Sequence, residues 1–485
     1  MIALKRNGLA YLLLAALGFL IAACATVPQA EDLPGPFEAM PGEGVRWGAV
    51  VTTLTGETLV ALRADERFIP ASNTKLFTTA AAFHYLGDPE VPDPASGTSL
   101  WLVPPAEGGG APSLLLKGAG DASLTDGPDC LENCLHQLAD AVAAAGITTI
   151  SDVIADDSFL PASLWGQGWS WNNFVWYYTA PVSSLPVNEN TLGLRLRPGE
   201  APEDPVQAEW LPGDEGFLTL QNEAVTGASG ADQTLRFERT PGRDTLRLTG
   251  LVPQDAAPRV YALAVADPPR AAATRLIRLL RARGVTVEGE ALTHREAPLA
   301  DISATELARL DAPPLIHSIR RVQRDSQNLH AELLLRRIAL ASGELSPEGG
   351  PEILRALIIS AGLSPVEAEL FDGSGLSTYN RVTPAGMARF LRWAAAQDWG
   401  DAWRATLPAG GADGTLTRRF RGTILEGRIF AKTGSLHGVN ALSGYMISAS
   451  GQALVFSVFA NDRPNDAPSI IAAMDAELVR IASEN

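Results

Sequence analysis

The chain has 485 residues, 46% of them hydrophobic and 19% charged, which is long enough for two or three domains and argues against wholesale disorder. Its formal charge of −17 speaks against the basic surface that a nucleic-acid partner requires. Only four of its 38 basic residues are lysines, Lys5, Lys75, Lys117 and Lys432. A guanidinium keeps its proton in any protein setting, whereas an ammonium can lose one in a suitable pocket, so lysines kept amid arginines are candidates for chemistry.

In chain order, Lys5 and Arg6 precede an apolar run, Leu9 to Ala23, that is short for a membrane span. The run ends Ile21-Ala22-Ala23-Cys24, which resembles a bacterial lipoprotein signal. That resemblance implies a leader over 1–23, acylation of Cys24 and, with Ala25 after the cysteine, anchoring at the periplasmic face of the outer membrane. Ordinary cleavage beside Ala23 and Ala25 is the alternative. Residues 24–44, with Pro28, Pro34, Pro36 and Pro41, read as a tether.

Alternating stretches Val45 to Leu54 and Thr58 to Arg63 predict two strands, and an apolar periodicity predicts a helix from Ser72 to Leu86. Residues 45–89 therefore read as the first part of one domain. Over 90–264 proline and glycine are frequent and strand-like segments short, the texture of an inserted, mainly β region. Its tryptophans, Trp165, Trp169, Trp171 and Trp176, are expected in a core. Cys130 and Cys134 lack a second ligand pair for zinc, so a local disulfide or two free thiols remain, with the disulfide favoured in an oxidising compartment. Over 265–485 helical periodicity returns at Ala271 to Arg283 and Ile316 to Leu340, followed by strands Arg428 to Thr433, Ala441 to Ser448 and Ala453 to Asn461 and a helix Ala467 to Ile481. Strands at both chain ends with helices between them suggest one α/β domain interrupted by an insertion.

Ser72-Asn73-Thr74-Lys75 sets a hydroxyl and an amine three residues apart on one face of a helix start, where the amine can take the serine's proton. By itself this also fits an N-cap serine and a solvated lysine. Ser326-Gln327-Asn328, at a turn or in a helix interior, is too common a pattern to weigh alone. Lys432-Thr433-Gly434-Ser435 lies at a predicted strand end, where the glycine admits a close backbone and the hydroxyls can hold a carboxylate, or where an edge lysine simply precedes a turn. In order, the three form the set S-x-x-K, S-x-N and K-T-G shared by penicillin-binding proteins and class A β-lactamases.

The resemblance extends to Phe68-Ile-Pro-Ala-Ser-Asn-Thr-Lys75, Asp156-Asp157-Ser158, Gly168-Trp169, Tyr178 to Pro181, Asp372-Gly-Ser-Gly-Leu376, Asn380, Val382-Thr-Pro384, Asp413-Gly-Thr-Leu416 and Ala431-Lys-Thr-Gly-Ser435. The chain resembles a low-molecular-mass class C penicillin-binding protein, a D-alanyl-D-alanine carboxypeptidase/endopeptidase. About 250 residues separate Ser72 from Ser326, and in that family such an excess is inserted domains. The resemblance implies an α+β, β-lactamase/transpeptidase-like fold, an antiparallel sheet flanked by helices, with mainly-β domains inserted between the first two motifs. It also implies attack by Ser72 on a D-alanyl-D-alanine bond of a peptidoglycan stem peptide, with Lys75 as base and Ser326 and Lys432 relaying the proton. Asn328 would hold the substrate's peptide, and Thr433 and Ser435, around Gly434, its terminal carboxylate. No cofactor or metal is implied, β-lactams are expected inhibitors, and no nucleic acid is expected.

Two positions depart from the family pattern: Gln327 stands where aspartate is usual, and Gly118-Ala-Gly-Asp-Ala122 is a looser form of a glycine-rich motif. A serine β-lactamase and a non-catalytic peptidoglycan-binding lipoprotein are the competing readings. The long insertion counts against the first and the intact motif set against the second.

Overall fold

In the computed structural model the described residues are Phe37 and 40–485, apart from short segments at 93–95, 106–108, 128, 131–132, 161–162, 297–302, 345, 347 and 466–468. The leader, Cys24 and most of the tether lie outside the described residues. Strands β1 (Arg46–Thr53) and β2 (Thr58–Leu62) form a hairpin, and helix α1 (Thr74–Tyr85) follows a single 3-10 turn over Ala71–Asn73. After a long insertion the chain returns with α2 (Leu315–Arg324), α3 (Asn328–Ala341) and α4 (Pro384–Ala395). It then adds strands β3 (Ile429–Leu436), β4 (Val439–Ile447) and β5 (Ala453–Asn461), and closes with helix α5 (Ile471–Glu484).

The sheet order is β2-β1-β5-β4-β3, every neighbouring pair antiparallel, so the first and last strands of the chain lie side by side at its centre. Alternation along β1 builds two cores. Val50 faces the helical layer with Phe77 and Leu76 of α1, Leu334 and Leu335 of α3 and Phe390 and Leu391 of α4. Trp47, Ala49 and Val51 face the other way, onto Met474, Leu478 and Ile481 of α5. An antiparallel sheet with helices on both faces is the fold expected of the sequence.

The inserted segment has two further cores. One covers a five-stranded mixed sheet, in spatial order Ala291–His294, Val153–Asp156, Ser113–Lys117, Thr98–Val103 and Thr305–Leu310, with helices Leu135–Ala144 and Pro268–Ala282. The other lies among short strands between Thr191 and Ala264. The expected span of 90–264 thus stops short, because Thr305–Leu310 pairs antiparallel with Thr98–Val103 and keeps the chain in the insertion. The helical periodicity at Ala271 to Arg283 belongs to that inserted α/β layer, where Leu276 and Leu280 are buried, and not to the outer domain.

Smaller differences follow from local geometry. The periodic run Ile316 to Leu340 is two helices broken at Ser326, whose φ is +60°. The strand carrying Lys432 continues through Leu436, so the motif lies within an edge strand instead of at its end. Cys130 and Cys134 are joined by a disulfide at the start of helix Leu135–Ala144. Trp165 stacks on Phe174 at 4.4 Å and Trp169 is buried, but Trp171 is 67% exposed and belongs to no core. Lys117 lies over the Trp101 ring, 4.9 Å from its centre.

Candidate active site

Three segments meet at one cleft: the turn into α1, the break between α2 and α3, and edge strand β3. Ala71 has φ +47° and its carbonyl approaches Gly375 so closely that a Cβ there would lie 1.9 Å from it. On the other side a Cβ at Gly434 would lie 2.7 Å from the Pro70 carbonyl. Glycine at both places lets the Ser72 turn sit between β3 and the 372–377 loop. Asn73 Nδ2 donates to the Lys432 carbonyl at 2.7 Å and pins the turn to the strand.

Ser72 is half-buried and Lys75, one turn on, is fully buried. Lys75 Nζ lies 2.9 Å from Ser72 Oγ, 2.6 Å from Asn328 Oδ1 and 2.5 Å from the Ser374 carbonyl oxygen. Asn328 Nδ2 donates to the Tyr178 carbonyl at 2.7 Å, which fixes the amide with its oxygen toward the amine. Both ends of Asn328 are therefore engaged within the protein, while the side chain still lines the cleft. Burial lowers the Lys75 pKa from 10.5 to about 7, against the opposing pull of Asp372 and Glu332.

Those two carboxylates are themselves held. Glu332, one helical turn beyond Asn328, accepts from the backbone N–H groups of Gly373 and Ser374 at 3.0 and 2.8 Å and pairs with Arg336 at 3.2 Å. Asp372 accepts from Trp169 Nε1, Ser377 N, Gly375 N and Asn380 Nδ2. Burial, then the neighbouring Asp372, raises the Glu332 pKa. This support for Lys75 was missed in the sequence, although Asp372-Gly-Ser-Gly was part of the family resemblance. Its only side-chain signal is the i, i+4 spacing of Asn328 and Glu332.

Lys432 is fully buried and alternates with Ile429 and Ala431, which fill the core under α5, so it points to the helical layer. Its Nζ donates to Ser326 Oγ at 2.8 Å and to the Thr433 carbonyl at 3.2 Å. Burial and the like charge of Lys75 lower its pKa well below the ordinary value. Thr433 Oγ1 donates to Thr415 Oγ1 at 2.9 Å, and exposed Ser435 accepts from Asn440 Nδ2 at 3.4 Å. Ser72, Ser326, Asn328, Ser435 and His437 line one cleft of about 640 Å³, together with Asn173, Tyr177 and Tyr178 of the inserted segment.

The arrangement can do nucleophilic chemistry at Ser72. Two of the three acceptors around Lys75 are carbonyl oxygens, which can only accept. When the amine is neutral its two N–H bonds go to them, and the lone pair is left for the Ser72 hydroxyl. Among the described residues no group of three or more His, Cys, Asp or Glu side chains is placed to hold a metal ion.

Comparison with known proteins gives the family. The family model described as D-Ala-D-Ala carboxypeptidase 3 (S13) matches residues 37–481. The D-alanyl-D-alanine carboxypeptidase of Actinomadura sp. (strain R39) is 35% identical over 477 residues, covering 93% of this chain and 84% of that one. The D-alanyl-D-alanine carboxypeptidase DacB of Haemophilus influenzae is 26% identical over 431 residues, 86% of each chain. The crystal structure of penicillin binding protein 4 from Haemophilus influenzae superposes with a TM-score of 0.78 at 24% identity, over 91% of this chain and 96% of that one, and shares the fold. By a match spanning nearly the whole described chain, the protein belongs to the D-Ala-D-Ala carboxypeptidase 3 (S13) family.

Proposed function

We propose that Ser72 attacks the carbonyl between the two terminal D-alanines of a peptidoglycan stem peptide, or of a D-alanyl cross-link, and forms an acyl-enzyme that water then hydrolyses. The observation that carries this reading is the Lys75 amine, buried and 2.9 Å from Ser72 Oγ with carbonyl acceptors for its own hydrogens. Neutral Lys75 takes the Ser72 proton. Ser326, 2.8 Å from Lys432 Nζ, passes a proton to the leaving amine. The backbone N–H groups of Ser72 and Ser435 face the developing oxyanion. Thr433 and Ser435 take the terminal carboxylate, and the substrate backbone lies along the edge strand β3. A β-lactam carbonyl fits the same path and leaves a long-lived ester. Cys24 is acylated and holds the enzyme to the outer membrane, facing the periplasm.

The test is covalent labelling. A fluorescent penicillin incubated with the chain from Glu31 onward is expected to leave a persistent adduct, mapped to Ser72 by peptide mass. Lys75→Arg should abolish it, because a guanidinium cannot accept the proton. Rapid release of the adduct would make the chain a β-lactamase, and absence of any adduct a non-catalytic scaffold. Purified muropeptides then separate loss of D-alanine from splitting of dimers.

A further inference from the structure

Three consecutive residues of the inserted segment, Asn188, Glu189 and Asn190, have φ values of +53°, +52° and +55°. Asparagine tolerates this left-handed region, whereas glutamate does so only when its surroundings impose it. The flanking asparagines do so here. Asn188 accepts from Thr125 Oγ1 at 2.6 Å and donates to Asp126 Oδ1 at 2.6 Å, while Asn190 donates to the Pro181 carbonyl at 2.9 Å. The outcome is a carboxylate brought from the insertion to the wall of the catalytic cleft. Glu189 accepts there from Arg321 of α2, from Gln327 Nε2 at 2.5 Å and from His330 Nε2 of α3 at 3.2 Å.

Those three donors surround the break between α2 and α3 on which Ser326 and Asn328 stand. Gln327 is used at both ends. Its Oε1 accepts from Leu329 N at 2.9 Å and caps α3, and its Nε2 meets Glu189. The aspartate expected at this position offers only acceptors when ionised, so it can cap the helix but would then turn negative charge toward Glu189. We infer that Glu189 is a positioning residue for acyl transfer, holding the Ser326-Gln327-Asn328 turn in register with Lys432 and Lys75, and that glutamine at 327 is its matched donor. The inference rests on the acyl-enzyme reading of Ser72.

The test is a reversed pair. Gln327→Glu sets carboxylate against carboxylate at constant size and is expected to slow the first-order acylation step by a β-lactam about tenfold, with little change in the initial binding constant. Adding Glu189→Gln restores one donor and one acceptor across the contact and should bring acylation to within about threefold of the parent. Thermal midpoints are recorded alongside. If Gln327→Glu does not fold, Glu189→Gln alone decides: it is expected to slow acylation about tenfold with the fold kept. Acylation at the parent rate in Glu189→Gln, or a double variant no faster than a well-folded Gln327→Glu, would overturn the inference while leaving Ser72 acylation standing. A parent chain that takes no β-lactam would overturn both.

Discussion

Lys75 makes three hydrogen bonds at a point closed to solvent, so its proton count decides what Ser72 can do. Below its pKa of about 7 the third hydrogen points at the serine oxygen, and the amine has no lone pair to offer. Above it the lone pair is free. Acylation of Ser72 by a β-lactam is therefore expected to rise with pH through an inflection near 7 and then level off, as read from stopped-flow or quench kinetics. Removing the charge of Glu332 by substitution with glutamine takes away one of the two groups that raise the Lys75 pKa. The same inflection should move to lower pH, while Arg336 loses its ion-pair partner and the thermal midpoint falls. An inflection that stays in place would detach Glu332 from the amine.

At the scale of elements, the site depends on how closely the Ser72 turn, β3 and the 372–377 loop approach. Gly375→Ala places a methyl 1.9 Å from the Ala71 carbonyl at a φ of +83°, and both neighbours are backbone. A loss of about 2–4 kcal/mol in denaturant unfolding is expected, together with loss of penicillin labelling. Helix α1 and the S-x-x-K pair were legible because a buried helix start and its reactive residues occupy one short stretch. The K-T-G stretch was legible as a motif, but its strand was cut short, since Gly434 looks like a terminator to local propensity and is here a contact with Pro70. The break at Ser326 stayed open between a turn and a helix interior for a different reason. Ile316, Ile319 and Val322 before it and Leu329 and Leu333 after it are all buried, and neither glycine nor proline marks the turn. The Ser374 carbonyl that accepts from Lys75 lies 299 residues away and acts through backbone, which leaves no side-chain trace to read. The boundary of the insertion was placed by texture, and texture fails where an inserted layer has amphipathic helices of its own, as Pro268–Ala282 does.

For the whole molecule, the charge of −17 repels an anionic surface, so attachment must come from acyl chains on Cys24 if the proposed anchoring holds. Cys24→Ser in cells should move the protein from the membrane to the soluble fraction, whereas a high-salt wash should leave the parent chain bound. The strand order has another consequence, in the time over which the protein is made. All three motifs have been synthesised by Ser435, yet β5, Ala453–Asn461, is the strand that enters between β1 and β4. Until it arrives, β1 has no partner on its inner edge, and nothing joins it to β3 and β4, on which the Ser72 turn that follows it packs. A chain ending at Ser448 contains every reactive residue and should bind no penicillin, which gel fluorescence would show. The reactive residues are thus expected to reach their working geometry only when this strand closes the sheet.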